Sequence, residues 1–213
     1  MANNTTEFGN TVFWNVDTQY DFMRSDGKLY VQGAEAIEGN LERLTKLAKE
    51  RNVRVVSTAD WHTMASEEIA SGTFPPHCMQ DTPGAEYVPA TRPEKPVYFQ
   101  WNTFGVEPRQ IFGEREIVIL KDKYDVFEGN PHASKILGFL SVSRAIVYGV
   151  ATNVCVHAAV KGLLERGKEV YVVKDAIKEL PKEVPVPTLE TVLNEWEKAG
   201  AKMITTDEVE RYI

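Results

Sequence analysis

Four residues of differing chemistry stand where short apolar runs end. Asp17 follows "TVFWNV", Asp60 follows "VRVVSTA", Lys121 follows "EIVIL", and Cys155 lies in "GVATNVCVH" just after "RAIVY". A thiol attacks an acyl carbon as thiolate; its unperturbed pKa of about 8.5 falls beside a helix N-terminus or a cation. Cys155 stands where an apolar run gives way to the helix-like "AAVKGLLERG". The free backbone N–H groups of such a turn could hold a developing oxyanion. Lys121 could supply the positive charge, with Lys123 as the competing cation, and Asp17 could take the thiol proton. The alternative is a buried structural thiol, since free cysteine is among the most buried residue types.

A second group could hold a metal ion. Asp60 and His62, two apart, share one face of an extended segment. His77 follows across a loop, in "FPPHC". One carboxylate and two imidazoles suit zinc first, and iron(II) or manganese otherwise, with water completing the coordination. The alternative is a pair of histidines that hydrogen-bond loop backbone. Glu67 or Glu68 could add a fourth ligand, and nothing in the sequence selects either. Gln19 and Asp21 read as supports of the turn after Asp17, Phe22 as pocket wall or core, and Cys78 as structural. His157 is two residues from Cys155, and positions two apart on a helix face different ways.

These residues need a scaffold that gathers strand ends. β-branched and apolar runs mark strands at Thr11–Asp17, Val53–Asp60, "PVYFQW", Glu116–Lys121, "RAIVYGV", "EVYVVKD" and "AKMITT". Between them, Ile37, Leu41, Leu44 and Ala48 recur at helical spacing, as do Val156, Ala159, Val160, Leu163 and Leu164, and then Leu189, Val192, Leu193 and Trp196. Pro131 is placed to open a further helix, and Gly167 and Gly200 to close two others. The alternation predicts an α/β fold, a single domain over residues 1–213, with a mostly parallel central sheet and helices on both faces. Ligands bind such folds at the carboxyl ends of the strands, where Asp17, Asp60, Lys121 and Cys155 would be neighbours.

Composition narrows the partners. The chain has 213 residues, 24 basic against 31 acidic, and a net charge of −7. Without a basic cluster, neither nucleic acid nor an anionic membrane surface is an expected partner. No apolar stretch reaches the length of a membrane span, and "MANNTTEFGN" lacks a signal-peptide core. Two cysteines make no disulfide framework. A cytoplasmic location is the default expectation.

The motifs together resemble the isochorismatase-like cysteine hydrolases, and among them the nicotinamidases (pyrazinamidases). "VDTQYDF" is similar to that family's D-x-Q-x-D-F; "DWH" with "FPPHCMQDTPGAEY" to its metal loop; "KDKYDVF" to K-x-R-Y-S-x-F; and "GVATNVCV" to its nucleophile turn. They occur in family order and span Asp17 to about Asp175. The resemblance implies a catalytic triad of Asp17, Lys121 and Cys155, metal ligands Asp60, His62 and His77, and a cis peptide between Val150 and Ala151. It implies an oxyanion hole from the N–H groups of Ala151 and Cys155, and a substrate pocket formed by Phe22, Phe74, Val150 and Ala151. The implied reaction is hydrolysis of a small carboxamide through a thioester, with nicotinamide as the first substrate to test and NAD salvage as the setting. An isochorismatase-type hydrolase of a vinyl ether, or of another small amide, is the alternative within the family; a non-catalytic binding relative is the alternative outside it.

The chain departs from the nicotinamidase pattern in three places. Phe74 stands where many relatives have Trp, and "ELPKEVPVPT" is unusually proline-rich. Residues Lys95–Glu116 form a long insert whose aromatics, Tyr98, Phe99, Trp101 and Phe104, are expected to reshape or lid the pocket, or to make a homo-oligomer interface.

Overall fold

The computed structural model describes residues 8–182 and 184–213. Seven strands form one sheet: β1 (Thr11–Val16), β2 (Arg54–Asp60), β3 (Val97–Phe99), β4 (Glu116–Lys121), β5 (Arg144–Val150), β6 (Glu169–Lys178) and β7 (Lys202–Ile204). Their order is β3-β4-β2-β1-β5-β6-β7, and every pairing is parallel. The connecting helices are α1 (Tyr20–Met23), α2 (Glu38–Glu50), α3 (Glu67–Ala70), α4 (Val126–Gly129), α5 (Ala133–Leu140), α6 (His157–Glu165) and α7 (Leu189–Ala199).

The strands of a sheet covered on both faces bury both sets of alternate side chains, which is why they read as continuous apolar runs. On one face Trp14, Val56, Ile117 and Ile119 pack with α5, α6 and Trp196 of α7. On the other, Phe13, Ile146 and Tyr148 pack with Leu41, Leu44 and Ala48 of α2. Helix ends follow local chemistry. The Thr188 hydroxyl accepts the Thr191 N–H at 3.2 Å to cap α7, an arrangement worth about 1 kcal/mol. Gly200, at φ +90°, closes the same helix. No helix among the described residues is long and apolar enough to cross a membrane.

The topology creates a cleft. From β1 the chain runs through α2 on one face to β2, whereas β5 feeds α6 on the opposite face. Connections that diverge from adjacent strands leave a crevice beyond their carboxyl ends. The Lys95–Glu116 stretch lies at the sheet's edge. Phe99 of β3 is buried, Tyr98 is exposed, and Phe104 is fully exposed.

Candidate active site

The crevice holds the residues expected from sequence. Asp60 and Lys121 are register partners on adjacent strands and so project side by side. Lys121 is 1% exposed. Its ammonium contacts the Asp60 carboxylate, lies 2.9 Å from Asp17 Oδ2, and is 3.8 Å from Cys155 Sγ. Lys123, the competing cation, instead pairs at the surface with Glu67 at 3.0 Å.

Asp17 is reached by a break in β1. Its φ of +47° turns the chain out of the strand, and the Thr58 hydroxyl donates to Asp17 Oδ1 at 2.6 Å. Behind it, Gly149 (φ +121°) lies so close to Val16 that a Cβ there would collide with the Val16 carbonyl. Only glycine lets β5 approach β1 at this point. The Val150–Ala151 bond that follows is cis. Residues Thr152–Val156 then form a π-helical turn that runs into α6, and the Ala151 carbonyl accepts the N–H groups of Val154 and Val156. Cys155 sits in this turn, 6% exposed, with its Sγ within 4.8 Å of the Asp17 and Asp60 carboxylates.

The electrostatics differ from the sequence expectation at the thiol. Helix position and cation predict a depressed pKa, but burial pushes the Cys155 thiol well up; Lys121 opposes this, and the charges of Asp17 and Asp60 add to it. Burial thus works against the thiolate, so forming it calls for a proton acceptor close by. Lys121 stays charged because Asp17 and Asp60 outweigh its desolvation.

The second cluster is equally buried. Asp60, His62 and His77 bring one ligand atom each within 4.8 Å of one another. Asp60 Oδ2 is 3.6 Å from His62 Nε2 and 3.4 Å from His77 Nε2. The Pro75 carbonyl lies 2.8 Å from His77 Nδ1, so Nε2 is the nitrogen turned to the cluster. Both ring nitrogens of His62 lack a hydrogen-bond partner although the residue is fully buried. A buried unpartnered imidazole is costly in an otherwise satisfied interior. A divalent cation bound by these three residues would take one of those two nitrogens as a ligand, so the donor set fits the ion.

Both clusters open on one cavity. Phe22, Phe74, Ala151 and Cys155 line it, together with Asp60 and His77. The rings of Phe22 and Phe74 meet His77 edge-on, at centroid distances of 5.3 and 6.0 Å. Val150 does not line the cavity. It is fully buried in the core, because strand alternation turns it inward while Ala151, past the strand end, faces the cavity. No residue of the Lys95–Glu116 insert lines it either, so the expected reshaping of the pocket is not found; Tyr98 instead lines a separate groove at the sheet edge.

Sequence reasoning missed several wall residues: Leu29, Val31, Val154 and Leu180. Each comes from a loop or turn with no periodic signal. Leu180 is placed by Asn153, whose side chain accepts the Leu180 N–H at 2.9 Å and donates to the Pro187 carbonyl at 2.9 Å. The proline-rich segment is thereby tied to the nucleophile turn. Glu68 also lines the cavity, and its carboxylate accepts the Tyr124 N–H at 2.7 Å. Burial raises its pKa above the ordinary glutamate value. Cys78 is buried away from the cavity lining. His157 faces α7, accepting from Trp196 Nε1 at 3.1 Å, with Nε2 3.3 Å from Glu195.

Comparison with known proteins follows the same lines. The profile of the Isochorismatase domain family matches residues 102–208. The nicotinamidase/pyrazinamidase of Mycobacterium tuberculosis is 26% identical over 186 residues, covering 82% of this chain and 90% of its own. The nicotinamidase of Escherichia coli K12 is 27% identical over 182 residues, covering 75% and 79%. Among solved structures, the pyrazinamidase of Pyrococcus horikoshii in complex with zinc superposes with a TM-score of 0.71 at 30% identity, covering 92% of this chain and 99% of that one. The chain belongs to the isochorismatase-domain family and is a hydrolase of that family.

Proposed function

We propose that this hydrolase cleaves a small aromatic carboxamide, with nicotinamide as substrate and nicotinate and ammonia as products. The observation that carries the reading is one cavity lined by Cys155, Asp60 and His77 between the rings of Phe22 and Phe74, with Lys121 and Asp17 beside the thiol and His62 beside Asp60. The nicotinamidase relatives agree with a substrate of that size.

In this reading Asp17 takes the proton of the Cys155 thiol as sulfur bonds to the carboxamide carbon. Lys121, held between the carboxylates, lowers the energy of the developing thiolate. The N–H groups of Ala151 and Cys155 receive the tetrahedral oxyanion. The C–N bond then breaks, Asp17 returns the proton to the leaving nitrogen, ammonia departs, and a thioester remains. Water attacks the thioester with Asp17 again as base, releasing the carboxylic acid and the thiol. A divalent cation, zinc by analogy with the Pyrococcus complex, would be held by Asp60, His62 and His77 and would supply an acceptor for a ring-nitrogen lone pair. Phe22 and Phe74 would hold the ring edges, and the whole chain would act as one hydrolase domain.

The test is ammonia and nicotinate release from nicotinamide, with Cys155→Ala beside the wild type. Equimolar release that vanishes in the variant is expected. Turnover retained by Cys155→Ala would sink the covalent route, and no release from either protein would move the substrate to another small amide.

A further inference from the structure

Two side chains beside the site touch neither the reacting groups nor the cavity, yet hold the backbone of both. Gln19 and Asp21 flank Tyr20, at the start of α1. Gln19 is fully buried, and both ends of its amide are hydrogen-bonded to backbone. Its Oε1 accepts the Asp60 N–H at 2.8 Å, and its Nε2 donates to the carbonyls of Asp60 and Ala85, both at 2.8 Å. The side chain thus pairs with Asp60 as a neighbouring strand would, at the point where β1 has already turned away.

Asp21 does the same for the opposite ligand. Its Oδ2 accepts the N–H of Cys78, the residue after His77, at 2.7 Å, and its Oδ1 accepts the Lys28 N–H at 3.0 Å. Cys78 is held there at φ +42°, outside the ordinary L-residue region. The seat is tight, because a Cβ at Gly84 would collide with the Asp21 carboxylate. The remaining ligand is fixed between them: the His62 N–H donates to the Cys78 carbonyl at 3.1 Å, and the His62 carbonyl accepts from Gln80 at 2.9 Å. One short turn therefore sets the distance between the carboxylate and imidazole ligands.

We propose that Gln19 and Asp21 are positioning residues for the divalent cation, fixing the Asp60–His77 spacing through backbone hydrogen bonds and so setting the chain's affinity for the ion. The inference rests on the metal reading above. Partners that orient metal ligands commonly alter affinity by about 10- to 100-fold when removed.

The experiment measures zinc affinity of the full-length protein by competition with a chromophoric chelator, for wild type, Gln19→Met, Asp21→Asn and His77→Ala. The visible spectrum of the cobalt-substituted protein and the melting temperature of the metal-free protein are recorded alongside. Expected is a zinc affinity weakened about 10- to 100-fold in Gln19→Met and Asp21→Asn, a shifted cobalt spectrum in both, and near-complete loss in His77→Ala. Asp21→Asn keeps the shape of its seat and decides the matter alone should Gln19→Met not fold. Wild-type affinity in the folded variants overturns the inference and leaves the metal reading standing. An affinity loss with an unchanged cobalt spectrum and a lowered metal-free melting temperature also overturns it, since that marks a purely structural role. A wild-type protein that binds no zinc removes the metal reading and the inference with it.

Discussion

Asp17 and Asp60 invite comparison. Both follow the last apolar residues of adjacent strands, both are essentially fully buried, and both contact the same lysine. Their environments nevertheless drive them apart. Around Asp17, burial outweighs Lys121 and the Thr58 hydroxyl, and the charge of Asp60 adds to it, so the carboxyl is held above the ordinary range. Around Asp60, burial acts the same way but is outweighed by Lys121 and by both histidines, so the carboxylate is held well below it. Two acids whose environments separate their proton affinities can take separate roles. Asp17 is suited to carry a proton in a cycle, and Asp60 to remain a fixed negative charge facing a cation. Residue type does not distinguish them; the two imidazoles beside one of them do.

The comparison can be broken at its strongest point first. Asp17→Asn should lower kcat/KM for nicotinamide by about 10²- to 10⁴-fold, the range of a lost general base, while metal analysis of the purified protein finds the ion still present. Asp60→Asn should lose the ion. An Asp17→Asn protein without metal, or an Asp60→Asn protein that retains it, would reverse the assignment.

Lys121→Met comes next. It leaves the Asp17 carboxylate buried with no cation beside it and Asp60 with its two histidines only, and breaking a buried pair in this way costs about 3–5 kcal/mol. Denaturant unfolding at neutral pH should show that loss, and an unchanged midpoint would mean that the lysine does not bind the two acids together.

Smaller effects sharpen the picture at the cavity wall. Phe74→Ala removes an edge-on partner of His77, an interaction worth about 0.5–1.5 kcal/mol. Steady-state kinetics should show KM raised by up to about tenfold, with kcat little changed. An equal fall in kcat would place Phe74 in the chemical step instead. Smallest of all, His157→Gln should leave turnover within about twofold of wild type, since its ring is engaged by Trp196 and Glu195. A large loss would mean that His157 acts on Cys155 despite facing α7.

Much of this was legible in the chain itself. The runs "TVFWNV", "VRVVSTAD" and "EIVILK" are read as strands because a sheet buried on both faces demands continuous apolar and β-branched residues, and β1, β2 and β4 form there. The acid, lysine and thiol at their ends then fall on one edge by topology. The gaps lie where no periodicity operates. Val150 and Ala151 are adjacent in sequence, and only the end of β5 decides which faces the cavity. The aromatics of Lys95–Glu116 suggest a lid by composition, but β3 pairs with β4 and carries them to the far edge of the sheet.

Sequence by itself determined the parallel strand ends, the chemistry gathered there and the family, because apolar periodicity and motif spacing are local properties of the chain. Tertiary structure alone decided that Lys121 rather than Lys123 is buried, that burial pushes the thiol's pKa up, and that Gln19 and Asp21 hold two loops in place. The reason is common to all three. Burial, ion pairing and side-chain-to-backbone bonds depend on which distant segments meet, and each sums contributions from residues far apart in the chain.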